Sequence, residues 1–487
     1  MSALAAMSLS QTAIAAVDDT DVDNPAGTTI TGTGYGVKLD AGGPYTIDNA
    51  GEISAEQNSF SYGIYVLPPI TVTSINNTPT GVIKGNAIGG GVSDNGRGIY
   101  ASGSIGTLIN AGLISGTAGD KIGVGITLKS NNIETVTNSG TITGLAGDAS
   151  ATGLFASKST ITTLTNTGTI SGSAVDKNAF GLKLKTASII TLTNNGLITG
   201  LADQDDAYGD AYGIYMDKSS INTLTNAGTI SGLTTNGDTG AGIYLTQSTI
   251  TTLNNSGLIQ IIASGTDLDE TAAIHLDSRS TIHNLINSGT ISAIQGDEDE
   301  EAVAGIYVEN SFINNLTNTS LIKATSENEE EVYGIYLYGA FASVGTITNS
   351  GTITASGAEG AEDEAYGIYL DVTSSVETIT NSGTITVSAV EDDAAGVYIN
   401  QHAYIGTLTN SGLITATAGI TDAIGIYVED RSTVETITNS GTISVTAGEK
   451  EATGILLQTV STITTLNNSG TILAVAATDS AFGINFN

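Results

Sequence analysis

The chain has 487 residues, with 61 glycines, 5 prolines and no cysteine or tryptophan. Glycine without proline or a G-x-y period excludes collagen, 40% hydrophobic residues are too many for a disordered chain, and the missing thiols exclude disulfides and thiolate metal sites. The formal charge of −35, from 14 Lys+Arg against 49 Asp+Glu, argues against nucleic acid and anionic membrane surfaces as partners, since both need basic side chains to replace counterions. Lys183 and Lys185 form the closest basic pair, in one strand-like segment.

In chain order, residues 1–16 read as a partial secretory signal: an apolar-small stretch leads to Ala13-Ile14-Ala15-Ala16, and the acidic Asp18-Asp19 follows. Its basic start is missing. Residues 17–33 read as an entry segment, and 34–487 as one repeat domain. Two elements alternate there. An N-x-G element recurs from Asn49-Gly51 to Asn468-Gly470 every 28 to 32 residues, with degenerate copies at Pro79-Gly81 and Asn318-Ser320. A G-[IVL]-x-[LVIM] element recurs from Gly36 to Gly483, with Ala273 replacing the glycine once.

The period inside each unit is two. Leu164, Asn166, Gly168 and Ile170 share one parity, while Thr163, Thr165, Thr167 and Thr169 share the other. Ile214 and Met216 likewise alternate with Tyr215. This predicts strands. A lone unit of about 30 residues buries too few aliphatic groups to offset its ordering entropy, so the units must stack, each pairing its backbone with the next. The reading is all-β: a parallel β-helix (β-solenoid) of about 15 coils, roughly 70 Å long at the ~4.8 Å strand spacing. Length variation falls mostly between N-x-G and the next G-I-Y, which predicts loops on one side. Asparagine and glycine suit a sharp corner with left-handed backbone angles, and the inward parity of the asparagine predicts an amide ladder from coil to coil.

The tandem G-I-Y-L and L-T-N-S-G-T-I units after a signal-like start resemble the passenger domains of Gram-negative autotransporters, from about Gly34 to Asn487. The resemblance implies a right-handed coil, display on the cell surface, and an outer-membrane β-barrel in the full-length protein. The sequence stops at Gly483-Ile484-Asn485-Phe486-Asn487, before any such barrel or distinct cap, so a truncated passenger or an anchor elsewhere is expected.

Three sets of residues could carry chemistry. Acidic loops hold Asp203, Asp205, Asp206 and Asp210, then Asp267, Asp269 and Glu270, then Asp297 to Glu301. Glu329 to Glu331, Glu362 to Glu364 and Glu391 to Asp393 continue the series. Calcium takes six to eight oxygens, but neither a D-x-D-x-D-G loop nor a G-G-x-G-x-D repeat is present, and a solvated acidic face explains the runs as well. Paired carboxylates could serve a glycosidase or lyase, although basic and aromatic substrate-holding groups are sparse around them. No H-E-x-x-H, G-x-S-x-G or P-loop occurs, Gly32-Thr33-Gly34-Tyr35-Gly36 lacks a following helix, and His275, His283 and His402 occupy ordinary repeat positions.

Outward tyrosines at 65, 100, 215, 244, 307, 336, 369, 398 and 427 form a stripe that stacks between coils or meets a glycan or protein. Threonine pairs such as Thr163/Thr165, Thr191/Thr193 and Thr223/Thr225 form a T-x-T array of the kind that orders water against ice, interrupted at Asn254, Ile286 and Asn467. The expectation is a non-catalytic extracellular rod for adhesion to surface proteins or glycans or for self-association, with no catalytic, cofactor-binding or metal residue assigned. A secreted polysaccharide-degrading β-helix and an ice-binding solenoid are the alternatives.

Overall fold

A computed structural model describes residues 13, 14 and 17–487, apart from 59, 89–94, 204–208, 236–238, 265–270, 297–301, 328–330 and 358–363. One coil shows how the sequence becomes structure. Thr160–Asn166 forms the first strand, Thr169–Ala174 the second and Ala179–Lys185 the third. β-branched residues fill these segments, and a polar corner separates each from the next. Ile161, Leu164, Ile170, Leu182 and Leu184 all turn inward and are fully buried. Each strand pairs in parallel with the strand three places on, so every coil lies on its predecessor.

Repetition of that unit builds three parallel sheets of 17, 17 and 16 strands around one hydrophobic core, a β-solenoid without helix among the described residues. We call them the threonine sheet (Thr160–Asn166 and its equivalents), the middle sheet (Thr169–Ala174) and the tyrosine sheet (Ala179–Lys185). Segment 17–33 already contributes strands to all three, at Val17–Asp18, Val22–Asn24 and Thr29–Gly32. Alternation is not strict. Ile161 and Leu164 are three residues apart yet both point inward, and Tyr212 and Tyr215 both point outward with rings 5.2 Å apart. At each place a residue drops out of the register, Thr162 in the first strand and Gly213 in the third, and the parity shifts there.

Isoleucine fills the first inward position of the middle sheet in consecutive coils (Ile142, Ile170, Ile198, Ile230, Ile259), because in-register stacking sets like on like. The G-I-Y glycine belongs to the same contact. A Cβ on Gly181 would lie 2.8 Å from Cγ2 of Ile198 and 2.7 Å from the carbonyl oxygen of Gly213 in the next coil.

The amide ladder is present. Each asparagine Nδ2 donates to the Oδ1 of the asparagine one coil on, at 2.7–2.8 Å, in an unbroken line from Asn24 to Asn468. Asn166 Nδ2 also donates to the carbonyls of Gly168 (3.2 Å) and Leu197 (3.1 Å), so a buried amide is satisfied from its own coil and the next. Two rungs depart from the N-x-G spacing. The ladder residue near Pro79-Gly81 is Asn77, whose Nδ2 reaches Gly81 O across a longer corner, and Asn24 opens the ladder ahead of Pro25-Ala26-Gly27.

The corner glycines are not left-handed, contrary to the expectation; among described glycines only 27, 34, 42, 43 and 339 have positive φ. Close approach selects them instead. A Cβ on Gly168 would lie 2.1 Å from the carbonyl oxygen of Gly140. Left-handed residues sit at the opposite corner, before the threonine sheet, at Ser130, Lys158, Thr186, Lys218 and Gln247.

Ser320 shows what a side chain costs at the corner. The N–H groups of Gly289 and Gly351 donate to the ladder carbonyl of the preceding coil at 3.1 and 3.2 Å, whereas Ser320 N–H turns to Asn318 Oδ1 at 3.4 Å. Ser320→Gly is expected to restore that bond and raise stability by about 1 kcal/mol in a denaturant titration. Asn166→Ala is expected to cost about 1–3 kcal/mol in the same assay, through unsatisfied buried partners. Thr165→Ala, on the outer face, should cost less, and equal losses would show that the ladder contributes nothing special.

Candidate functional site

The outer face of the tyrosine sheet carries the densest chemistry. The G-I-Y tyrosines stack in register across coils: Tyr215, Tyr244, His275, Tyr307, Tyr336, Tyr369, Tyr398 and Tyr427 form one column with centroids 4.6–5.4 Å apart. Five of these rings, Tyr307 to Tyr427, lie within 8° of parallel with their neighbours. The sequence-predicted stripe therefore exists and stacks on itself, as offset aromatic pairs favour. His275 takes a tyrosine's place in it, with Nε2 3.8 Å from Glu309. His283 faces Asn314 on the threonine sheet, and His402 lies in a left-handed turn.

A second column was not anticipated. The residue before the repeat glycine belongs to this outer column too, and it is aromatic in seven coils: Tyr35, Tyr62, Phe180, Tyr212, Tyr333, Tyr366 and Phe482. The visible signal was an aromatic directly preceding G-[IL]; strict period-two counting hid it, because the irregularity at the glycine returns both aromatics to one face. Tyr333 and Tyr366 are almost fully buried between the first column and the turns before their strands. Their hydroxyls donate to Glu331 and Glu364.

Those carboxylates place part of the acidic series. Asp210, Glu331, Glu364 and Glu391 to Asp393 stand in turns that enter the tyrosine sheet, along one edge as expected, and Asp203 ends a middle-sheet strand. Asp205, Asp206, Asp267, Asp269, Glu270, residues 297–301, Glu329, Glu330 and Glu362 lie outside the described residues, as does most of the signal-like segment. The structure brings Glu364 together with Asp392 and Asp393, whose carboxylate oxygens lie within 4.8 Å of one another. Asp18, Asp19 and Asp40 form a second such group.

Glu364 and Asp393 rim a cleft of about 260 Å³ whose walls are Tyr366, Tyr369, Tyr398, Tyr427 and Ile424, with Ala394 and Ala395 between them. Glu429 and Asn400 close the other side. Tyr398 Oη donates to Glu429 at 2.8 Å, and Asn400 Nδ2 donates to Tyr369 Oη at 3.2 Å. Burial pushes Glu364 up to about 7, with the negative charges of Glu331, Asp393 and Asp392 adding to the shift and the Tyr366 hydroxyl opposing it. Burial raises Asp393 as well, against the N–H of Asp422 that donates to it at 2.8 Å.

The threonine pairs form two in-register columns on their own sheet. Asn284 and Asn315 interrupt the first of them in addition to the breaks at Asn254 and Ile286 in the second. Lys183 and Lys185 do share a strand, and Lys183 Nζ sits 3.6 Å above the Phe180 ring, where burial lowers it to about 8.

The raised Glu364 makes stability depend on pH. Below about 4.5 it is protonated in both the folded and unfolded chain; between 4.5 and 7 only the folded state keeps its proton, so stability falls as pH rises, and above 7 the penalty is complete. Glu364→Gln is therefore expected to raise the denaturant midpoint at pH 8 and leave it unchanged at pH 4. A stabilisation of equal size at both pH values would show that burial of the charge is not the cause. The chain matches no known protein family, no curated protein and no solved structure.

Proposed function

We propose that this chain is a non-catalytic extracellular rod, the passenger region of an autotransporter-like surface protein, which displays its faces for adhesion or self-association. The observation that carries this reading is the unbroken stack: the same three faces repeat in register from coil to coil over roughly 75 Å at the ordinary strand spacing, giving a stiff and multivalent surface. A side chain at one repeat position recurs every coil, so a weak contact made once is made many times along the rod. The acidic edge keeps such a surface soluble and sets like charge against like in random encounters.

A second reading, a polysaccharide-degrading enzyme, draws on one specific feature. Glu364 and Asp393 bring carboxylate oxygens within 4.8 Å of each other in an aromatic cleft, close-set as the carboxylate pairs of retaining glycosidases are, and burial raises Glu364 to about 7, as a general acid requires. The two readings separate experimentally. Microspheres coated with the chain should clump or adhere to cell monolayers, with soluble chain competing, while a panel of polysaccharides gains no reducing ends. Reducing ends that appear with the native chain and vanish with Glu364→Gln would overturn the non-catalytic reading. Coated spheres that behave like bare ones would overturn the adhesive one.

A further inference from the structure

In register, the column of residues before the glycine runs Tyr62, Arg97 near the start of the rod and Tyr366, Ala395 near its end. The neighbouring column supplies Tyr65 and Tyr100 in the first case, Tyr369 and Tyr398 in the second. The four tyrosines thus occupy equivalent places, and what differs is the residue beside them.

In the first case Arg97 fills the position. Its guanidinium carbon lies 5.5 Å from the Tyr62 centroid and 5.4 Å from that of Tyr100, and its Nη1 donates to Tyr62 Oη at 3.1 Å. Arginine stacks on aromatic faces and bonds through its edge, and both contacts are made here. In the second case Ala395 is too short to reach, and the cleft of about 260 Å³ opens against Tyr366, Tyr369 and Tyr398. Its rim gains Glu364, Asp393 and Glu429, and no lysine or arginine lines it among the described residues. The tyrosine face engages a cation elsewhere too, where Lys183 Nζ approaches the Phe180 and Tyr215 rings.

We propose that the cleft at Tyr366, Ala395 and Tyr398 binds the guanidinium group of a partner's arginine side chain, seated where Arg97 sits in its own coil and held by the carboxylates of Glu364, Asp393 and Glu429. Guanidinium suits it better than ammonium, because a planar fork can stack on a tyrosine while its edge meets two carboxylates, whereas an ammonium is a point charge. The inference rests on reading this face as one that meets partners. The two fail separately, since coated spheres can adhere through other faces when the cleft binds nothing.

The test is calorimetric titration of the full chain with N-acetyl-arginine methylamide, its lysine counterpart and the neutral isostere N-acetyl-citrulline methylamide, and with an arginine-containing peptide to separate a peptide side chain from the free group. The arginine derivative and the peptide should bind saturably, with the citrulline derivative weaker by at least about tenfold, as loss of a charge-assisted bond implies. Glu429→Gln should weaken arginine binding by about the same factor. Ala395→Arg should abolish it by supplying the group from within, as Arg97 does. If that variant does not show a native thermal transition, Glu429→Gln carries the test. Equal binding of citrulline, equal binding of lysine, or no saturable heat from a folded chain would each overturn the assignment.

Discussion

Parallel strands stacked in register force each coil to meet its like, and almost everything else in this molecule follows from that constraint. A side chain on one coil lies directly over its counterpart on the next, so a residue type succeeds only if it can pack against itself. Isoleucine does so in the middle sheet, asparagine in the ladder and tyrosine on the outer face, through dispersion, amide hydrogen bonds and offset ring stacking respectively. Charged residues meet the same rule with the opposite sign. Among the described residues they lie on outer strand positions or in turns, where like charges can spread into water.

The corner glycines obey a further consequence of the same geometry. Where two coils turn together, the corner N–H reaches the ladder carbonyl of the preceding coil, and the carbonyl of the glycine below leaves no room for a Cβ. The ladder amide lies in the same corner, so close backbone approach and satisfaction of a buried amide are one arrangement. Ser320 keeps its place in the stack but gives up a backbone bond to do so.

Much of this was legible in the sequence. The repeat, the strand periodicity, the inward asparagine and the outward tyrosine each appear as a residue type recurring at fixed spacing, and self-stacking makes such recurrence a direct statement about neighbours. What escaped was the local phase. Strict alternation gives Tyr212 and Tyr366 the inward parity of Ile214 and Ile368, whereas one residue drops out of register at the repeat glycine and the backbone resets there. The corner glycine was recognised for the wrong reason, since sequence alone does not distinguish a need for left-handed backbone from a need for space. Asn24 and Asn77 were hidden by longer corners around Pro25 and Pro79. The cleft was illegible for a deeper reason: it arises where a column breaks, at Ala395, and a break in a repeat looks like noise until its neighbours are placed.

The aromatic column also gives the molecule an optical identity. The chain has no tryptophan, so its near-ultraviolet absorption belongs chiefly to its 18 tyrosines, many of them in ordered stacks with near-parallel rings about 5 Å apart. At that separation transition dipoles couple, and excitation passes from ring to ring along the axis instead of residing on one. The rod is in this sense a one-dimensional array of chromophores, whose exciton signature depends on the register of the coils and vanishes with it.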